Sequence, residues 1–391
     1  MSYAKERLSI RVGVIGAGFI GPAHIESIRR LGFVQVAAIA DITQEAAERA
    51  ASALFVQKAY GDFMDLVHDP EIDVVDICAP NSLHYCVTKA ALEAGKHVVS
   101  EKPLSMTSVE SAELLALARK KGVVNAVIFN QRFYPLIYHA RALVERGELG
   151  TIYNVHGGFW QDWLLHDTDY NWRVEASQGG RLRAVGDIGS HWLDLAQFVT
   201  GLRVDHVLGD LTTFVPMRQK PVGEIETFST AEVQRTPVTV DTEDAASVLI
   251  RFVDNARGLM QVCQVSPGRK NHLTLEVNGS KASIYWDAER ANELWIGHRD
   301  RPNELLLKDP ALMHASASAI ARYPAAHAEG FPDTHTAIQR AIYEFIRAGG
   351  YTSGLQPSFP TFLDGHRENV IGDSIWQSSI DEHWVAVPCV E

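Results

Sequence analysis

Three short stretches of this chain carry residue types that can do chemistry together. They are a glycine-rich turn, a lysine between a glutamate and a proline, and an aspartate four residues ahead of a histidine. The turn is Gly16-Ala17-Gly18-Phe19-Ile20-Gly21. In a G-x-G-x-x-G between a strand and a helix, the first glycine permits the tight turn and the second lets backbone approach a pyrophosphate. The third lets helix and strand pack closely, and the helix N-terminus stabilises the phosphate charge. The next apolar run ends in Asp41, roughly 20 residues past the glycines, where a carboxylate accepts hydrogen bonds from the adenosine ribose hydroxyls. It also repels a 2′-phosphate, and Ile42-Thr43 supplies no arginine to replace that contact. NAD rather than NADP is the expected cofactor. A helix N-cap is a second use for the same aspartate.

Lys102 stands in Ser100-Glu101-Lys102-Pro103, at the end of another apolar run. The carboxyl ends of parallel strands open on the cofactor crevice, so a lysine there stands where chemistry occurs. Asp187 and His191, in Gly186-Asp187-Ile188-Gly189-Ser190-His191, share a face if the stretch is helical. Histidine can serve as a base near neutral pH, and an aspartate on the same face can poise it. Two other readings of the pair stay open. One is a capping or ion-paired aspartate beside a core histidine. The other adds Asp194 to make D-x3-H-x2-D, a conceivable metal cluster.

The elements that must position these residues are legible from hydrophobic patterning. Apolar, β-branched runs at 10–15, 34–40, 74–79, 97–100 and 123–129 alternate with helix-like stretches near 22–31, 44–54, 83–94 and 108–120. Near-continuous apolar strands suit a parallel sheet covered on both faces, and the alternation predicts a doubly wound α/β domain. Beyond about residue 130, strand-like segments at 151–158, 206–214, 245–253, 258–265, 272–277 and 283–286 follow one another with few helices between the later ones. That predicts a large, open, mostly antiparallel sheet in an α+β domain. A helix is expected over 187–199, and helices again at 334–347 and 366–379, while 305–330 shows no periodicity and reads as loop. The division expected is 1–132 for the nucleotide domain and 133–391 for substrate and oligomerisation.

The stretch from Gln161-Asp162-Trp163 to Asn171-Trp172-Arg173 interleaves aromatic rings with amide, carboxylate and guanidinium groups. Carbohydrate sites use that mixture, and so do core or interface clusters. Arg132, just after the last run of the first domain, is placed to border the crevice. His327 and His335 are placed to reach the pocket from the second domain, although each is more often a surface histidine.

Composition excludes several classes. The 391 residues carry a net charge of −12, which argues against nucleic acid or an anionic membrane as the main partner. No run approaches the roughly 18 apolar residues of a membrane helix. The opening MSYAKERLSI lacks the apolar core of a signal peptide, and the four scattered cysteines form no C-x-x-C pair; a cytoplasmic protein without disulfides or structural zinc is expected.

In combination, the glycine motif, Ala79-Pro80-Asn81-Ser82-Leu83-His84, Glu101-Lys102-Pro103 and Asp187-x3-His191 resemble the glucose–fructose oxidoreductase/inositol dehydrogenase family over nearly the whole chain. The 161–173 stretch is similar to a branch containing levoglucosan dehydrogenase and related sugar dehydrogenases. The resemblance implies an NAD-dependent dehydrogenase of a sugar, anhydrosugar or polyol. His191 would be the base, Lys102 would hold the reacting oxygen, and Asp187 would fix substrate hydroxyls, leaving a metal redundant. Cofactor contacts are implied for Gly16, Gly18, Phe19, Ile20, Asp41, Pro80, Asn81, His84, Glu101 and Lys102. Substrate contacts are expected from Lys102, Arg132, Gln161, Trp163, Trp172, Arg173, Asp187 and His191. A homodimer or homotetramer is also implied. Two other readings remain from the same fold: an NAD-dependent glycoside hydrolase that oxidises transiently, and a non-catalytic regulator that binds NAD or sugar.

Overall fold

The computed structural model describes residues 10–223 and 234–391, so the reading of the first ten residues lies, but for Ile10, outside the described residues. Strands β1 (Ile10–Ile15), β2 (Val34–Ala40), β3 (Lys58–Tyr60), β4 (Val74–Ile77), β5 (His97–Ser100) and β6 (Asn125–Val127) form one sheet in the order β3-β2-β1-β4-β5-β6. Every pairing in it is parallel. This is the expected doubly wound arrangement, and its strand order reverses between β1 and β4. Burial on both faces explains the apolar runs: Val12, Val14, Val74, Val75, Ile77 and Val98 are each 0% exposed.

The helices between these strands start and stop on local signals. Thr43 accepts from the Ala46 amide to cap helix Gln44–Ala53, and Thr107 accepts from the Glu110 amide to cap helix Ser108–Lys121. The latter ends on Gly122 in the left-handed region, with Arg119, Lys120 and Lys121 in its last turn. β3 and helix Phe63–His68 lie beyond the elements expected from patterning. Both are too short to establish a period.

The remaining strands are β7 (Ile152–Trp160), β8 (Val204–Thr212), β9 (Met217–Pro221), β10 (Arg235–Thr239), β11 (Ala245–Phe252), β12 (Arg257–Cys263), β13 (His272–Gly279), β14 (Ala282–Asp287), β15 (Glu293–His298), β16 (Glu304–Leu307) and β17 (Val385–Ala386). Nine of them make a sheet ordered β16-β15-β14-β13-β7-β12-β11-β8-β17, while β9 and β10 pair separately. Within the large sheet β7 and β12 run parallel and the other pairings are antiparallel. One face is packed by helices Pro135–Glu145 and Ser190–Thr200 around Val155, Trp192, Leu195, Val248, Met260 and Leu273, all 0% exposed.

The expectation of a loop over 305–330 is corrected. β16 occupies its start and helix Ala315–Ile320 its middle. β16 is an edge strand with Leu305 and Leu307 both more than half exposed, and the short helix, ASASAI, has small residues in place of an apolar stripe.

The chain divides into two compact units. One runs to Ile128 and includes His335–His366; the other comprises Phe129–Thr334 and Arg367–Glu391. The expected single break after residue 132 differs from this division, because His335–His366 returns to the first unit. Hydrogen bonding shows why. Val127 donates its amide to the Pro360 carbonyl at 3.0 Å, Phe362 donates to Asn125 Oδ1 at 2.9 Å, and Ser111 Oγ meets His366 Nδ1 at 2.8 Å. Among the described residues no helix is long and apolar enough to cross a membrane.

Candidate active site

In the first unit, steric limits set the glycine turn. Gly16 has φ +92° and a Cβ there would lie 2.8 Å from the Cys78 backbone, while a Cβ on Gly21 would stand 2.4 Å from the Gly16 carbonyl oxygen. At Gly18 a Cβ would meet nothing within 4 Å. The protein's own packing therefore dictates Gly16 and Gly21, whereas the open space beside Gly18 is what a pyrophosphate approaching the backbone requires. Phe19 and Ile20 form the start of helix Ile20–Arg29, which no side chain caps at Phe19.

Asp41 does not cap the next helix, since Thr43 does. Its Oδ2 accepts from the Ala17 amide at 3.1 Å and its Oδ1 from the Ile42 amide at 2.8 Å. These bonds fix the carboxylate beside the glycine turn. Both oxygens keep a second lone pair for a ribose diol, so the residues present fit a dinucleotide with an unmodified 2′-hydroxyl.

Pro80 precedes helix Asn81–Glu93, of which Asn81 is the first residue. His84 is buried, with Nδ1 2.6 Å from the Pro103 carbonyl oxygen and Nε2 2.9 Å from that of Ala79. It ties the loop after β4 to the loop after β5. Glu101 and Lys102 follow β5, and the Lys102–Pro103 peptide is cis. The backbone amide of Lys102 donates to Glu101 Oε2 at 3.1 Å.

In the second unit, Asp187 sits in a π-helical turn, Val185–Gly189, that runs into helix Ser190–Thr200. Such single wide turns recur at functional sites. Buried Glu243 holds the entry to the turn by accepting from the Arg183 and Val185 amides at 2.9 Å. Burial pushes its pKa up, against the pull of those backbone bonds. Trp192 anchors the helix to the sheet, donating from Nε1 to the Thr274 carbonyl at 2.9 Å. Gly157 makes room for it, for a Cβ there would lie 2.2 Å from the Thr274 oxygen and 3.0 Å from the Trp192 nitrogen.

The His191 ring, 8% exposed, stands edge-on to Phe129 at 5.9 Å and lies 6.4 Å from Phe159. Asp187 is held on two sides. Gln264 Nε2 donates to its Oδ2 at 2.9 Å, and Arg173 Nε approaches its Oδ1 at 3.4 Å. Arg173 is braced in turn by stacking over Trp172 at 4.3 Å and by donating to Asn171 Oδ1 at 3.3 Å.

The other expected substrate residues are placed less uniformly. Trp163 Nε1 donates to Gln161 Oε1 at 2.9 Å, and the Trp163 ring packs against the buried Leu164, Val174 and Val240 cluster. Arg132 sends both arms of its guanidinium to Asp194 and lies over the Phe198 ring. The carboxylate that would complete a D-x3-H-x2-D cluster is thus bound by an arginine. His327 is exposed, with Nδ1 on the Ala325 carbonyl oxygen. The expectation that His335 reaches out from the second domain is corrected: it belongs to the first unit, buried 5.3 Å from the His24 ring.

Gln264 and Glu243 were not singled out from the sequence. A polar glutamine within the apolar run 258–265 was the available signal for Gln264, and the adjacent acidic pair Glu243-Asp244 the signal for Glu243.

Comparison with known proteins places this geometry in a family. Residues 10–129 match the model of an oxidoreductase family with an NAD-binding Rossmann fold. Residues 137–285 match the GFO/IDH/MocA C-terminal domain. The chain is 31% identical to levoglucosan dehydrogenase of Pseudarthrobacter phenanthrenivorans, over 97% of this chain and 98% of that one. A solved levoglucosan dehydrogenase in complex with NADH and L-sorbose superposes with a TM-score of 0.88 at 30% identity, covering 98% of this chain and all of the other. An inositol dehydrogenase homologue from Azotobacter vinelandii, complexed with NADH and myo-inositol, gives 0.83 at 26% identity, with 97% of each chain covered. The chain belongs to the GFO/IDH/MocA family of NAD-dependent sugar and polyol oxidoreductases.

Proposed function

We propose that the protein oxidises a secondary hydroxyl of a sugar, anhydrosugar or polyol, with His191 as the base and Lys102 holding the reacting oxygen. The observation that carries this reading is the clamp on Asp187. A carboxylate gripped by Gln264 and Arg173 beside an oriented histidine is a built site for hydroxyl groups. The fixed Asp41 carboxylate and the open space at Gly18 support NAD as cofactor. When bound, NAD supplies the hydride acceptor. The chain's own groups do the rest. His191 takes the hydroxyl proton as the C–O bond becomes a carbonyl. Lys102 donates a hydrogen bond to that oxygen and favours its developing negative charge. Asp187 accepts from neighbouring hydroxyls and fixes the sugar by them. Trp163, Trp172 and Arg173 supply ring faces and donors for the rest of the sugar.

The expected self-association is assigned to the sheet face opposite the packed helices. There Leu249 and Leu259 pair across β11 and β12 while 45% and 44% exposed, and Leu208 lies opposite Leu249 on β8. Paired exposed leucines on an open sheet suit contact with a second copy.

The test is a panel of levoglucosan, L-sorbose, myo-inositol and related compounds with NAD and NADP, read by absorbance of the reduced cofactor. Net NADH with an oxidised sugar is expected. Release of an aglycone without net NADH would replace this reading with transient oxidation, and binding without turnover would replace it with a regulator.

A further inference from the structure

Behind Lys102, in the first unit, lies a largely buried chain of polar groups to which the proposed reaction gives no proton or substrate role. His24 and Asp76 are both 0% exposed. His24 Nδ1 lies 3.0 Å from Asp76 Oδ1, and its Nε2 lies 3.0 Å from Glu101 Oε1. Gln339 donates to Asp76 Oδ2 at 3.3 Å. The other oxygen of Glu101 accepts the Lys102 amide. We propose that His24 is a positioning residue for Lys102: held by Asp76 on one side, its ring grips Glu101 on the other, and Glu101 fixes the backbone from which Lys102 projects. This rests on the reading that Lys102 holds the reacting oxygen.

The geometry requires the charged ring. Two carboxylates face its two nitrogens, and only an imidazolium donates to both, since a neutral ring would turn a lone pair to one of them. The groups packed around it agree. Burial pushes the His24 ring down, but the charge of Asp76 and its bond to Nδ1 outweigh that and hold it well above an ordinary histidine. Burial also opposes ionisation of Glu101, yet the bond and charge of His24 bring its carboxyl to about 2. His335, pushed down to about 3 by burial and then by the His24 charge, stays neutral. Cys78 is raised to about 12 by burial and stays a thiol. Buried Tyr343 is likewise raised, by burial and then by the Asp76 charge. His24, Asp76 and Cys78 stand close enough for a metal. With the thiol protonated and both imidazole nitrogens bonded to carboxylates, they form a hydrogen-bonded relay instead.

A buried ion pair of this kind is an inefficient way to stabilise a fold. Its use here is directional, for it ends one residue from the lysine. Misplacing a reacting group by about 1 Å costs on the order of 100-fold in rate, so a rigid strut beneath Lys102 has something to protect.

Two readouts test the proposal on the full chain. The first needs no substrate: hydrogen exchange at the Lys102 amide in the chain without ligand. Exchange in His24→Gln should be at least about tenfold faster than in wild type, since the acceptor oxygen is no longer held. Unchanged exchange would overturn the proposal. The second is a double-mutant cycle with Lys102→Ala, using levoglucosan or the best compound of the panel. Alone, His24→Gln should lower kcat on the order of 10–100-fold with the substrate KM within about threefold. In the Lys102→Ala background it should change kcat by less than about twofold.

Equal losses in both backgrounds would make His24 merely structural. Wild-type turnover in Lys102→Ala would sink the catalytic reading itself, and the exchange result would still report on the strut. If His24→Gln does not fold, Gln339→Met, which removes the amide that bonds Asp76 at 3.3 Å and lies 3.4 Å from His24 Nδ1, takes its place in both measurements. A loss of about threefold that disappears without Lys102 supports the proposal; no loss, or the same loss in both backgrounds, refutes it.

Discussion

Gln264 donates its side-chain amide to Asp187 at 2.9 Å from a position with no solvent exposure. The two residues are separated by 77 positions, and the end of β12 brings the glutamine under the π turn. A hydrogen bond to a charged group contributes about 1.5–3 kcal/mol. Gln264→Leu should therefore lower kcat/KM by about 10–100-fold, and Gln264→Glu should do at least as much by setting a second carboxylate against the first. Steady-state kinetics on the best panel substrate decide it. Wild-type values in both variants would remove Asp187 from the proposed machinery.

Cofactor choice should follow Asp41. In Asp41→Ala/Ile42→Arg the carboxylate that repels a 2′-phosphate is gone, and a guanidinium stands at a neighbouring position that is 68% exposed in wild type. The ratio of kcat/KM for NAD over NADP should fall by about 100-fold or more, two repulsive or attractive terms of about 1.4 kcal/mol each. Equal use of both cofactors by the wild-type protein would refute the ribose contact.

For the proposed base, the sign of the pH effect is fixed by chemistry. His191 accepts a proton only when its ring is neutral, so the oxidation rate should rise with pH through one ionisation and then level. In His191→Asn that rise should flatten and the rate fall by about 10²–10⁴-fold. A pH profile of kcat at saturating substrate makes the comparison. The same ionisation persisting in the variant would transfer the proton to another group, with Lys102 first in line.

Much of this was legible in the sequence, and the parts that were not have a common cause. The glycine turn could be read because Gly16 and Gly21 obey local sterics. The interiors of β1 and β4 could be read because both of their faces are buried. Gln264 could not, since its partner is set by sheet register. His24 reads as an ordinary residue of an amphipathic helix until Asp76 and Glu101 are brought to it by two different strands. The return of His335–His366 to the first unit was hidden for the same reason, because a helix pattern records which face is apolar and not what covers it.

Acid should weaken the first unit at a second buried carboxylate. Burial pushes Asp69 up, but bonds from Lys58, the Glu71 amide and Tyr60 outweigh it and bring the carboxyl from 3.8 to about 2. A folded-state value below the unfolded one stabilises above the unfolded value and is lost as pH falls through the folded one. The window here is about pH 4 down to 2. Asp69→Asn should lose about 1 kcal/mol at pH 7, allowing for solvent around Lys58, and show a flatter decline in that window. Denaturant melts at pH 7, 4 and 3 would show it. A variant that loses nothing at pH 7 would leave the bonds without net effect.

Self-association should depend on the open sheet face. Leu249→Lys and Leu259→Lys place charges on two exposed, directly paired positions. Stability should change by no more than about 0.5 kcal/mol, while sedimentation velocity should show a smaller species than wild type. An unchanged distribution would move the contact elsewhere.

The parallel pairing of β7 with β12 has a consequence for synthesis. β7 leaves the ribosome before either of its neighbours, and its register partners begin at Arg257 on β12 and His272 on β13. Until about a hundred further residues have emerged, the strand that will sit inside the sheet has two naked edges, a state open to wrong pairing. The segment bearing Gln161 and Trp163 continues directly from β7, and its first amide bonds to Cys263 at the end of β12. The segment proposed to face the substrate is therefore among the last parts of this unit to take shape. Chains truncated before residue 257 should be recovered as aggregates, not as smaller folded proteins.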